Sequence, residues 1–171
     1  MTGHNSIKMT ELAVLYSSMG FHDAETFIQS GNVIFSDPGK RPVSDMSAAL
    51  EKVILERFSF IVPVMIRTNI ELRDLFSSNP FLGETNFDPS KMAVIFLLDA
   101  PSQTQIQKVA DINYPPDKFK IIGKEIFIYC PNGFGRTRLY TNFFEKKMGV
   151  IGTARNWKTI TTILNIAEKK N

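Results

Sequence analysis

Apolar positions along the chain recur with two periods, one helical and one alternating. Met9, Leu12, Tyr16 and Met19 fall on one helical face, and Gly20 follows as a C-terminal stop. ETFIQ (25–29) and VIFS (33–36) read as two strands, with Ser30-Gly31-Asn32 as the tight turn and Gly31 or Asn32 supplying positive φ. Pro42 and Ser44 introduce a second helix with an apolar stripe of Met46, Ala49, Leu50, Val53 and Ile54. IVPVMIRT (61–68) predicts a strand, in which Pro63 marks an edge or a bulge. Residues 69–79 predict a short connecting helix, capped by Asn69, with Leu72, Leu75 and Phe76 turned inward.

After a loop at 79–91, the near-continuous apolar run MAVIFLL (92–98) predicts a strand covered on both faces. Ser102 caps a helix expected to reach about Asp111. FKIIG (119–123) and KEIFIYC (124–130) predict a hairpin around Gly123-Lys124. A helix over 137–148 ended by Gly149, an extended piece over 150–155 and a last helix over 156–169 complete the chain. The second half therefore reads β-α-β-β-α-β plus a closing helix, and the first reads α-β-β-α-β. The order of elements predicts an α+β fold made of two ferredoxin-like halves in tandem, the first missing its leading strand. The implied organisation is a first half over 1–68, a connecting helix and loop over 69–91, and a second half with the C-terminal helix over 92–171. In such a sheet the first strand lies between the third and fourth. Its absence leaves unpaired backbone in the sheet interior, each buried orphan group costing roughly 1–3 kcal/mol. A neighbouring protomer, a rearranged sheet or chain preceding Met1 is expected to fill the gap, and the first of these predicts a homodimer.

Composition narrows the class. With 171 residues, 43% of them hydrophobic and 14 of them Phe, the chain can bury a real core. Cys130 is the single cysteine, so no internal disulfide forms, which fits a cytoplasmic location. The apolar runs are too short to span a bilayer and MTGHNSIKM carries no apolar signal region, so no membrane association is expected.

Charge changes the picture more. Residues 1–117 hold 9 Lys+Arg against 14 Asp+Glu, a net of −5, while residues 118–171 hold 11 against 3, a net of +8. PNGFGRTRL (131–139) and GTARNWKT (152–159) lie in this basic third, and each places arginine where a helix is expected to begin. A positive field and free helix-start N–H groups suit phosphate or another anion. In the first stretch Asn132, Gly133, Gly135, Arg136, Thr137 and Arg138 are candidates: the glycines for close backbone approach, Thr137 as helix cap, the arginines for charge. In the second, Thr153, Arg155, Asn156 and Lys158 are candidates, with Asn156 as cap. The alternative is a glycine turn with solvated arginines, and core packing for Trp157. If the two stretches converge, four cations face one pocket. Asn5, Lys8, Gln29 and Ser30 are further candidates if their segments lie nearby. Otherwise Gly31 and Asn32 serve a turn and residues 4–8 a terminus.

HNSIKMTEL (4–12), FIQSGNVIFS (27–36), PNGFGRTRL and GTARNWKT together resemble, in order and spacing, the signatures of the bacterial family called domain of unknown function 1697. Members of that family begin with a strand and a glycine-rich turn. The resemblance implies that this chain starts inside that turn, with Thr2, Gly3, His4 and Asn5 as its remnant. It implies an α+β fold and brings no activity, substrate or cofactor.

No catalytic arrangement stands out. His4 and His22 lack partners nearby in sequence, Cys130 reads as a packing residue, and the two histidines and one cysteine make a zinc site improbable. Whether the protein is an enzyme is left open. The leading reading is an anion-binding protein for a nucleotide, nucleic acid or phosphorylated metabolite, without a cofactor. Phe127 and Tyr129 would either stack bases or pack beneath helices. The alternatives are an enzyme acting on a small phosphorylated or carboxylated substrate through Arg136, Arg155 and Asn5 or Gln29, and an oligomerising module.

Overall fold

The computed structural model describes residues 6–28 and 31–170. The fold class is α+β, and the chain divides into two compact units, Met1–Asn69 with Ile163–Asn171, and Ile70–Thr162. Among the described residues no helix is long and apolar enough to cross a membrane.

In the first unit, α1 (Met9–Ser18) leads to β1 (His22–Phe27) and β2 (Asn32–Ser36), which pair antiparallel as a two-stranded sheet. Positive φ falls at Ile28 and Gly31, while Asn32 is already in β2. The expectation that Asn32 belongs to the turn is corrected: its side-chain amide donates to the Phe27 carbonyl across the loop. The helix α2 (Val43–Phe58) buries Met46, Leu50 and Ile54 against Leu12, Leu15, Tyr16 and Phe21. Asp37 ties the exit of β2 to this core. Its carboxylate accepts from the Arg41 backbone and guanidinium at 2.7–3.1 Å, and that guanidinium lies 4.2 Å over the Phe21 ring.

Residues 61–68 do not form the expected strand. Val62, Val64 and Ile66 keep the alternating pattern and pack on the core, yet they join no ladder among the described residues. The Val64 N–H is satisfied instead by the Glu51 carboxylate of α2, at 2.8 Å.

The second unit is more regular. After α3 (Asn69–Ser77), whose first residue counts with the other unit, come β3 (Met92–Leu97), α4 (Gln103–Gln107), β4 (Lys118–Ile122), β5 (Glu125–Tyr129), α5 (Thr141–Phe144), β6 (Gly152–Asn156) and the start of α6 (Trp157–Lys169), whose residues from Ile163 on count with the first unit. The sheet order is β4-β5-β3-β6, antiparallel throughout, the order expected of a split β-α-β unit. All six residues of β3 are buried. One face packs Ile95, Leu97, Ile126 and Ile128 against Val109, Leu139, Phe144 and Met148.

Two helices are shorter than expected. Ser102 caps α4 in a full capping box with Gln105, but the helix ends at Gln107. The expected helix over 137–148 is replaced by a 3-10 turn (Phe134–Arg136), an extended stretch, the four-residue α5 and a π-helical turn (Glu145–Gly149). The Thr137 hydroxyl accounts for the difference. It accepts from Leu139 N (3.1 Å) and from Cys130 Sγ (3.4 Å), which holds the chain extended so that Leu139 enters the core.

Gly152 pairs with Leu97 at the top of β6, and a Cβ there would lie 2.7 Å from Ile95 Cγ2 and 3.2 Å from Leu97 Cδ2. Both neighbours are fully packed. Gly152→Ala should therefore lower the unfolding free energy by about 1–3 kcal/mol, read by urea denaturation. A second expectation concerns acid. Hydrogen bonds from Arg41 hold the Asp37 carboxyl down from 3.8 to about 2. A depressed carboxylate contributes stability above its unfolded pKa and loses it as pH falls through the folded one. The melting-temperature gap between wild type and Asp37→Asn should be constant above about pH 5 and close between pH 4 and 2.

Candidate functional site

The direction of β3 places the two basic stretches. β5 and β6 flank β3 and both run antiparallel to it, so they run parallel to each other. Tyr129 at the end of β5 lies opposite Met92, and Asn156 at the end of β6 lies opposite Ala93. The segments 130–138 and 156–158 therefore leave one end of the sheet, about 10 Å apart across one intervening strand.

Along the first segment, Gly133 takes φ +85 and its N–H donates to the Cys130 carbonyl at 2.8 Å, closing the turn out of β5. A side chain at 133 would meet Lys91 Nζ at 3.8 Å, so this ammonium packs directly on the turn. Gly135 has no neighbour within 4 Å of a would-be Cβ and takes no positive φ. Asn132 and Arg136 are exposed. Arg138 is not at a helix start but lies over the Tyr114 ring at 5.2 Å, and Thr137 caps no helix. The placement of Arg136 and Arg138 in a first helical turn is thus corrected: α5 begins only at Thr141.

The second segment is closer to expectation. The Asn156 side chain accepts from Thr159 N at 2.8 Å and caps α6, with Lys158 exposed in its first turn. Arg155 Nη1 donates to Thr153 Oγ1 (2.7 Å) and the Ala154 carbonyl (2.8 Å), and burial lowers the pKa of its guanidinium. Trp157 is core, packed at 4.5 Å on Phe76.

Sequence reasoning missed Lys91 and its neighbour Asp88. The Asp88 carboxylate caps the 3-10 turn Pro89–Lys91 by accepting from Ser90 N, and its N–H donates to the Tyr129 hydroxyl. The Ser90 side-chain and backbone hydrogen bonds, then the Lys91 charge, lower its pKa. Only the Pro-Ser-Lys step before the apolar run could have signalled this turn.

The expected pocket shared by four cations is not formed around the described cleft of about 550 Å³. That cleft runs along β4 and α4, and none of the candidate residues lines it. Lys8 lies in the first unit, just before α1. Asn5, Gln29 and Ser30 lie outside the described residues. His22 is exposed on β1. Phe127 and Tyr129 are buried, Tyr129 stacked between Phe81 and Phe87, so they pack and do not offer faces to bases. Cys130 is fully buried, and desolvation pushes its thiol up, which keeps it protonated. Among the described residues no three His, Cys, Asp or Glu side chains gather closely enough to hold a metal ion.

Comparison with known proteins adds family and fold. The chain is similar to the conserved bacterial protein SP0830 from Streptococcus pneumoniae, with a TM-score of 0.73 and 18% identity over 98% of this chain and 92% of that one. At that identity the likeness is one of fold. No curated protein matches. The sequence profile described as Protein of unknown function (DUF1697) matches residues 1–127, which takes in the stretches at 4–12 and 27–36 and stops before those at 131–139 and 152–159. With that match over most of its length, the chain belongs to the DUF1697 family.

Proposed function

We propose that the protein binds a phosphate-containing ligand at the end of the second unit's sheet, where β5 and β6 leave it. The observation that carries the reading is Lys91 Nζ packed on the Gly133 turn, which adds a cation between the two arginine-bearing segments. Segments 88–91, 130–138 and 153–158 together hold Lys91, Arg136, Arg138, Arg155 and Lys158 against one carboxylate, Asp88. That imbalance makes the local field positive and suits a phosphate group. Arg136 and Lys158, both exposed, meet the ligand, while Arg138 lies over the Tyr114 ring. Arg155, anchored on Thr153, sets the floor.

Titration with inorganic pyrophosphate, ATP and a single-stranded oligonucleotide, at about 25 and 200 mM salt, tests this. Binding should weaken with salt, and Arg136→Glu and Lys158→Glu should each reduce affinity about tenfold or more. Unchanged affinity in both variants overturns the site, and no oligonucleotide binding at low salt removes the nucleic-acid version.

A further inference from the structure

β4 is one of the two edge strands of the four-stranded sheet, paired to β5 alone. The two-residue turn Gly123-Lys124 closes on the pair Ile122↔Glu125. Alternation then makes Ile122↔Glu125, Lys120↔Phe127 and Lys118↔Tyr129 the hydrogen-bonded pairs. The bonds on the far side of β5 agree, since Leu97 N donates to the Lys124 carbonyl and Cys130 N to the Lys91 carbonyl. The N–H and C=O groups of Phe119 and Ile121 therefore point away from the sheet. Neither residue has a backbone partner on that side among the described residues.

The open edge borders the cleft of about 550 Å³ described above. Ile106 and Val109 stand on one side of it, Pro80 and Phe81 on the other, and Phe119 and Ile121 lie between. Lysine on an edge strand ordinarily blunts pairing. Here Lys118 is neutralised, its ammonium 2.8 Å from both oxygens of Glu84. Lys120 is exposed and has no ionic partner among the described residues.

We propose that the β4 edge takes up an extended peptide strand from a partner protein, antiparallel, with an acidic residue opposite Lys120 and an apolar residue on each side of it. The residue opposite Lys120 shares the Lys120 face, and an acid there meets the free ammonium. Its two neighbours share the face of Phe119 and Ile121, where Ile106 and Val109 offer apolar contact. A second copy of β4 is a poor occupant. Antiparallel pairing that sets Phe119 opposite Ile121, the register that uses the outward groups of both residues, would place Lys120 directly against its own copy, and like charges opposite each other destabilise a sheet. This recognition mode draws affinity from main-chain bonds and selectivity from alternate side chains.

The test uses fluorescence anisotropy on the full chain with three labelled hexapeptides: alternating valine and glutamate, alternating valine and lysine, and the first peptide N-methylated at alternate residues. The glutamate peptide should bind at least about fivefold tighter than the lysine one. N-methylation should abolish binding, and Lys120→Glu, an exposed change that leaves the ladder intact, should reverse the charge preference. Binding that ignores N-methylation, a preference unmoved by Lys120→Glu, or no binding at millimolar peptide overturns the proposal. A dimer that peptide dissociates would assign the edge to a second copy and overturn it as well.

Discussion

The strand β3 is the constraint from which the second unit follows. Its six residues are buried on both faces, so no water reaches its N–H and C=O groups. Each unpaired group would cost roughly 1–3 kcal/mol, and the strand must therefore be paired on both edges. β5 and β6 meet that demand, both antiparallel to it. Two strands antiparallel to a common neighbour leave the sheet at the same end. The pairing of β3 thereby brings together the Gly133 turn and the start of α6, which are separated along the chain by α5 and β6.

The first unit meets its hydrogen bonds differently: among the described residues its sheet is the hairpin β1-β2. Residues 61–68 still place Val62, Val64 and Ile66 inward, because hydrophobic burial needs only alternation and a surface to cover. Hydrogen bonding needs a neighbour at fixed spacing, and there the solution is local: Glu51 reaches from α2 to the Val64 N–H. The apolar pattern and the ladder are separable: among the described residues, Val62, Val64 and Ile66 show the first without the second.

That separation explains which parts were legible. The hairpin over 118–129, the buried strand at 92–97, the Ser102 capping box and the Asn156 cap are set by residues within a few positions of one another. The family, too, was legible in the stretches at 4–12 and 27–36. The helix expected over 137–148 was not, although Leu139, Phe143, Phe144 and Met148 have compatible spacing. The Thr137 hydroxyl turns to Leu139 N and to the Cys130 thiol, and the latter contact exists only once β5 is formed. Arg138 likewise answers to Tyr114, and Lys91 to Gly133, both distant in sequence. Side-chain partners set by sheet closure carry no local signature.

This bears on how the basic end of the sheet acts. The electrostatics anticipated for it relied on two helix termini, where aligned peptide dipoles and orphan N–H groups favour an anion. One of those termini is absent, because α5 has four residues and runs into a π-helical turn. The other is partly occupied from within, since the Asn156 side chain already accepts from Thr159 N. What remains is a set of side-chain cations held at strand ends, with Arg155 fixed by Thr153 and Arg136 and Lys158 exposed. Backbone N–H groups recognise the shape of an anion, whereas mobile exposed cations respond to its charge. Under the proposed reading, a site built this way would discriminate by charge density before ligand geometry, and finer selectivity would come from Arg155, fixed by Thr153, and from the Lys91 ammonium seated on the Gly133 turn.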